Sequence, residues 1–149
     1  MSLERREKLK KGKSGVVFAI FQNGEILLEE RLDPKKEYYG YTIIPGGGIE
    51  RGESVWHTLE REIEEECGCL HKASVYLSSH TQRDGNSTHE RHLFLVTHVT
   101  GEINNIETEK CRHLWATLVE ARYICKHPDT QEFLDVIEDY FNEEGLKVD

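Results

Sequence analysis

Glu62, Glu65 and Glu66 stand at i, i+3 and i+4 of a segment with helical periodicity, which puts three carboxylates on neighbouring positions of one face. Like charges at that spacing destabilise a helix by a few tenths of a kcal/mol per pair, so a compensating positive charge is expected among them. A hard divalent cation suits the set. Mg²⁺ takes oxygen ligands, often only one or two carboxylates, and leaves its other positions to water and substrate phosphate oxygens. Taken alone, such a triplet is more often a solvated, Glu-rich helix surface.

The elements that must position these carboxylates lie between Pro45 and Cys69. Three consecutive glycines, Gly46, Gly47 and Gly48, follow a short apolar run and predict a tight turn whose backbone a ligand can approach closely. Ser54 is placed to cap the following helix, Val55, Leu59, Ile63 and Cys67 make one apolar stripe, and Gly68 is placed to end it.

The whole stretch has the spacing G-x5-E-x7-REU-x-EE-x-GU, carried by Gly47, Glu53, Arg61-Glu62-Ile63, Glu65-Glu66, Gly68 and Cys69. It resembles the signature of the Nudix hydrolases over the 23 residues from Gly47 to Cys69, with Cys69 in place of a bulkier aliphatic. At ordinary residue frequencies these fixed positions arise by chance on the order of once in a million chains. The resemblance implies hydrolysis of a pyrophosphate linkage in a nucleoside diphosphate bonded to another moiety, with Mg²⁺ or Mn²⁺ as the metal. Glu65 and Glu66 are the main expected metal ligands, and Glu62 matches either a ligand or a general-base position. Gly47 is expected to offer its carbonyl oxygen to the metal. Glu53 and Arg61 match a pair that holds the loop against the helix, with a metal role for Glu53 as the alternative. A further ligand from a late loop is sought in Glu109, with Glu107 beside it.

Of the 149 residues, 1–14 read as a basic lead-in and 15–149 as a single domain. The net charge of −9 speaks against general nucleic-acid binding, which depends on Lys and Arg, but not against a small polyphosphate bound through a metal ion. Cys67, Cys69, Cys111 and Cys125 have neither CxxC nor disulfide-framework spacing and are expected to be reduced thiols. No stretch approaches the length of a membrane span, so a cytoplasmic protein with no membrane partner is expected, and a homodimer is left open.

In chain order, residues 16–22 and 25–31 predict strands joined by the Asn23-Gly24 hairpin signal. Residues 32–40 predict a loop and 41–44 a short strand. Past the helix, residues 73–80 and 91–99 predict a second hairpin around a polar turn at 84–87, and 113–117 a strand around Trp115. A helical turn at 118–122 and a closing helix over 130–141 complete the reading. Hairpins with a central and a terminal helix give an α/β fold, and the resemblance implies an α/β/α sandwich with a mixed sheet between helices.

Arg31, Arg83 and Arg91 are candidates for substrate phosphate. Tyr38, Tyr39 and Tyr41 offer either a stacking surface for a base or ordinary packing. His89-Glu90-Arg91-His92 falls one residue short of a zinc HExxH motif and sits on a predicted strand, which argues against a catalytic zinc there. The auxiliary proline or tyrosine that marks several Nudix substrate classes is missing from 84–87, which favours a nucleoside triphosphate or modified nucleotide, the housecleaning class. The alternatives are ADP-ribose or dinucleotide hydrolysis, or a nucleotide- or partner-binding module without hydrolysis.

Overall fold

A computed structural model describes residues 13–84 and 87–145. Its elements are β1 (Gly15–Gln22), β2 (Glu25–Arg31), β3 (Thr42–Ile43), β4 (Gly46–Gly48), α1 (Val55–Cys67), β5 (Leu70–Asp84), β6 (Ser87–Thr100), β7 (Cys111–Ala116), α2 (Leu118–Ile124) and α3 (Pro128–Glu143). The strands form one mixed seven-stranded sheet in the order β3-β2-β1-β6-β5, with β4 added to β1 and β7 to β2. The β1–β6 pair is parallel and the others are antiparallel.

Strand alternation sorts the core into two layers. Val16, Phe18 and Ile20 of β1, with Leu27 of β2, pack against Leu59, Ile63 and Cys67 of α1. Val17 and Ala19, with Ile26 and Leu28, face the opposite way and pack against Leu118 and Ala121 of α2 and Phe133, Leu134 and Ile137 of α3. The result is the expected α/β/α sandwich. Ile63 is fully buried at the centre of the first layer, where truncation to Ala costs about 2–5 kcal/mol.

Asn23 and Gly24 both take positive φ and close the first hairpin, as their sequence predicts. Ser54 caps α1 by accepting from His57 N, and Gly68 ends it at φ 66°. The three glycines depart from expectation. None of Gly46, Gly47 and Gly48 has positive φ, and they form strand β4 against β1 rather than a turn. Their lack of side chains is required by close approach, since a β-carbon on Gly46 would fall on the Val16 carbonyl oxygen.

The second hairpin is longer than its apolar pattern suggests, and residues 85 and 86 of its expected turn lie outside the described residues, as do residues 1–12 of the expected lead-in. The turn expected at 118–122 is a helix fixed by a Thr117/Glu120 capping box. Among the described residues no helix is long and apolar enough to cross a membrane.

Candidate active site

The loop from β4 into α1 is tied down by Arg61. Its Nε donates to Glu53 Oε2 at 2.7 Å, and its Nη2 donates to Glu53 Oε1 and to the Gly48 carbonyl, both at 2.9 Å. Glu53 Oε1 also accepts from Glu50 N at 2.8 Å and from Thr58 Oγ1 at 3.1 Å. These bonds, Arg61's first, hold the Glu53 carboxyl down at about 2. All of them are internal to the loop–helix junction, which is the structural alternative for Glu53.

The same guanidinium reaches along the helix, with Nη1 donating to Glu62 Oε1 at 2.9 Å and to Glu65 Oε2 at 3.1 Å. The three acidic residues are therefore not equivalent. Glu65 is exposed and turned towards Arg61, whereas Glu62 and Glu66 are 8% and 5% exposed. Burial pushes Glu62 up to about 7, opposed by Arg61 and reinforced by Glu65. Glu66 is raised well above the ordinary value, first by burial and then by the charges of Glu29 and Glu62, and its Oε2 is buried with no hydrogen-bond partner among the described residues. Gly47 lies directly over the Glu62 carboxyl group, leaving no room for a side chain.

Glu29 was not singled out by its sequence. It is 1% exposed on β2, shares the α1-facing side of the strand with Leu27, and accepts from Arg31 Nη1 at 3.0 Å. Burial raises its carboxyl against the pull of Arg31. The signal was the alternation of EILLEER, in which every second residue after Leu27 must face α1.

Arg31, Arg91 and Tyr38 come together in one pocket of about 170 Å³, together with Glu29, Gly47 and Asp129. Tyr38 is half-buried at φ 63° and meets the His127 ring edge-on with centroids 4.8 Å apart; burial raises its phenol above the ordinary value. Tyr39, at 56% exposure, is not in the lining, and neither is Arg83. The structure thus gives Tyr38 a position at the pocket and Tyr39 none. Glu109, the expected ligand from the late loop, lies outside the pocket lining. It is exposed, whereas the half-buried Glu107, paired with Lys110 at 3.1 Å, is the residue of that loop whose charge raises Glu29, Glu62 and Glu66. A turn that returns Cys111 N to the Glu107 carbonyl makes this choice.

Of the hairpin histidines, His80 bonds Ser78 and Glu132, and His92 bonds Tyr76. Among the described residues, three side chains with metal-ligating atoms mutually within 4.8 Å occur elsewhere, at Glu29, Cys111 and His113.

The NUDIX domain family model matches residues 12–137. An NAD-capped RNA hydrolase, NudC, of Photobacterium profundum is 31% identical over 105 residues, covering 70% of this chain and 38% of the relative. The mouse 8-oxo-dGDP phosphatase NUDT18 is 34% identical over 73 residues, covering 48% of this chain and 22% of the relative. The chain thus spans well under half the length of these curated relatives. A crystal structure of a MutT NUDIX hydrolase from Burkholderia pseudomallei superposes with a TM-score of 0.70 at 24% identity, covering 84% of this chain and 97% of that one. With the family model matching residues 12–137, from just before β1 into α3, this chain belongs to the NUDIX family.

Proposed function

We propose that the chain is a Mg²⁺-dependent pyrophosphohydrolase acting on a nucleoside diphosphate linked to a further group, with a nucleoside triphosphate or a modified nucleotide as its preferred substrate. The observation that carries this reading is Glu66, a buried carboxyl group whose Oε2 has no hydrogen-bond partner, beside two further buried carboxyls, Glu29 and Glu62. Such a cluster is costly without a cation, so the donor set fits a hard divalent ion. Glu62, Glu65 and Glu66 would hold Mg²⁺, or Mn²⁺ in its place, with the Gly47 carbonyl and Glu107 as the additional donors. Bound there, the ion supplies charge neutralisation at the phosphoryl oxygens and acidification of water.

This chain's own residues do the remaining work. Water adds across the P–O–P linkage, a new O–P bond forming as the bridging oxygen departs on the other phosphoryl group. Arg31 and Arg91, both in the pocket lining, draw the substrate's phosphate oxygens towards Gly47. Tyr38 and Phe133 give the same pocket apolar surface for the base. Arg61 and Glu53 keep the loop seated so that Glu62 and Glu66 hold their positions.

Of the curated relatives, one is named for 8-oxo-dGDP, a modified nucleotide, which supports this substrate class, and the other for NAD-capped RNA. The net charge of −9 favours a small nucleotide over a nucleic acid. Four buried cysteines with no disulfide among them support a cytoplasmic setting. The reading is tested by following nucleoside monophosphate formation with Mg²⁺ over a panel of nucleoside triphosphates, modified nucleotides, ADP-ribose, dinucleotides and capped RNA. Turnover highest on a triphosphate or modified nucleotide is expected. Tight binding with no turnover on any member would instead identify a binding module.

A further inference from the structure

The pairing of β2 with β7 sets Glu29 opposite His113 and Arg31 opposite Cys111, so Glu29, Cys111 and His113 all project from the α1-facing side of the sheet. One ligand atom from each lies within 4.8 Å of the others. Glu29 Oε1 is taken by Arg31, while Glu29 Oε2 and His113 Nε2 are buried with no hydrogen-bond partner. The Cys111 thiol makes a long contact of 3.8 Å to Asn105 Oδ1 and interacts with the Glu29 carboxyl itself. Buried polar atoms left without partners are costly, and here two of them, with the thiol, are brought to one point.

We propose that Glu29, Cys111 and His113 form a binding site for a borderline-soft divalent ion, Zn²⁺ or Co²⁺, separate in its donors from the carboxylates of α1. Carboxylate, thiolate and imidazole are the ligand types that select such an ion over Mg²⁺, which takes oxygen alone. A carboxylate and a thiolate together offset the charge of a divalent cation in a buried place, with Glu66 beside them against the charge of Arg31. On binding, the thiol proton leaves to solvent and the sulfur–metal bond takes its place. Ligands around Zn²⁺ stand roughly 3.3–3.8 Å apart, so the three side chains close inward by about an ångström. The ion would bind β7 to β2 next to Glu66, and it would raise the melting temperature by mass action.

The test uses the full chain, freed of metal, in excess Mg²⁺ to fill sites of oxygen donors, and titrated with Co²⁺. The expected result is a thiolate-to-cobalt charge-transfer band that saturates near about one equivalent and is abolished by competing Zn²⁺. Cys111→Ser should remove the band, folded His113→Gln should weaken Co²⁺ binding at least about tenfold, and Glu65→Gln should keep the band. Absence of the band in the parent protein overturns the proposal. So does its survival in Cys111→Ser, which would place the thiolate at another cysteine. Should Cys111→Ser fail to fold, parent-like Co²⁺ affinity in His113→Gln overturns it equally.

Discussion

Gly47 and Glu62 are in such close register that a β-carbon on Gly47 would fall on the Glu62 carboxyl group. The backbone of β4 therefore forms one wall of the place where a helix carboxylate is held. Gly48 differs, since its added β-carbon would meet only the flexible Lys13 side chain at 3.0 Å. Gly47→Ala is expected to cost about 1–3 kcal/mol through overpacking and to displace Glu62, while Gly48→Ala stays within about 0.5 kcal/mol. Thermal melting of the two variants side by side checks this, and equal shifts would contradict it.

The Glu53–Arg61 pair gives stability a pH dependence of defined sign. Glu53 sits at about 2 in the folded chain against an ordinary 4.5, so its contribution is fully present above about 4.5 and is lost as pH falls towards 2. Glu53→Gln, which cannot titrate, should be less stable than the parent at neutral pH and should converge on it as the solution is acidified. A stability gap that stays constant from pH 6 to about pH 2 would show that the carboxylate form is not what the clamp requires.

Divalent metal should raise the melting temperature in the absence of nucleotide, because it relieves the repulsion between the buried carboxyls Glu62 and Glu66 and gives the partnerless Glu66 Oε2 a ligand. At a concentration about a hundred times Kd the gain is about 2.7 kcal/mol. Calorimetric scans over millimolar Mg²⁺ and Mn²⁺ read it directly. Glu66→Gln should lose most of the Mg²⁺-induced shift, and a shift of parental size in that variant would remove Glu66 from the metal site.

Tyr38 and Tyr39 adjoin in sequence and separate in space. Tyr38→Ala should raise KM for the preferred nucleotide about tenfold with little change in kcat, as loss of uniform binding does, whereas Tyr39→Ala should change neither. Steady-state kinetics on both variants decides. Similar KM values for the two would place the base away from this pocket.

The parts of the site that could be read from the sequence are those set by local spacing. The Asn23-Gly24 turn, the apolar stripe of α1 with its Ser54 and Gly68 caps, and the Glu53–Arg61 clamp each involve residues close along the chain or carried by a recognisable pattern. What escaped depends on long-range pairing. Glu29 looks like a surface glutamate until β7 and α1 cover both its sides, and the run of glycines looks like a turn until β1 is laid beside it. Glu107 and Glu109 are chemically identical, and only the turn that bonds Cys111 N to the Glu107 carbonyl decides which one the site feels. The long β5–β6 hairpin gave little signal at its tip because the sequence there is polar at successive positions, and alternation vanishes.

The most direct measurement of the central claim is the Mg²⁺-dependent kcat of Glu66→Gln relative to the parent, on the panel nucleotide that the parent hydrolyses fastest. The substitution keeps the side chain's shape and removes the charge of a carboxyl group that has no partner among the described residues for one oxygen. A loss of at least about a hundredfold, with the melting curve still cooperative, is the predicted result. Turnover within a few-fold of the parent at saturating Mg²⁺ would contradict the assignment of the buried carboxylates to the hydrolytic site.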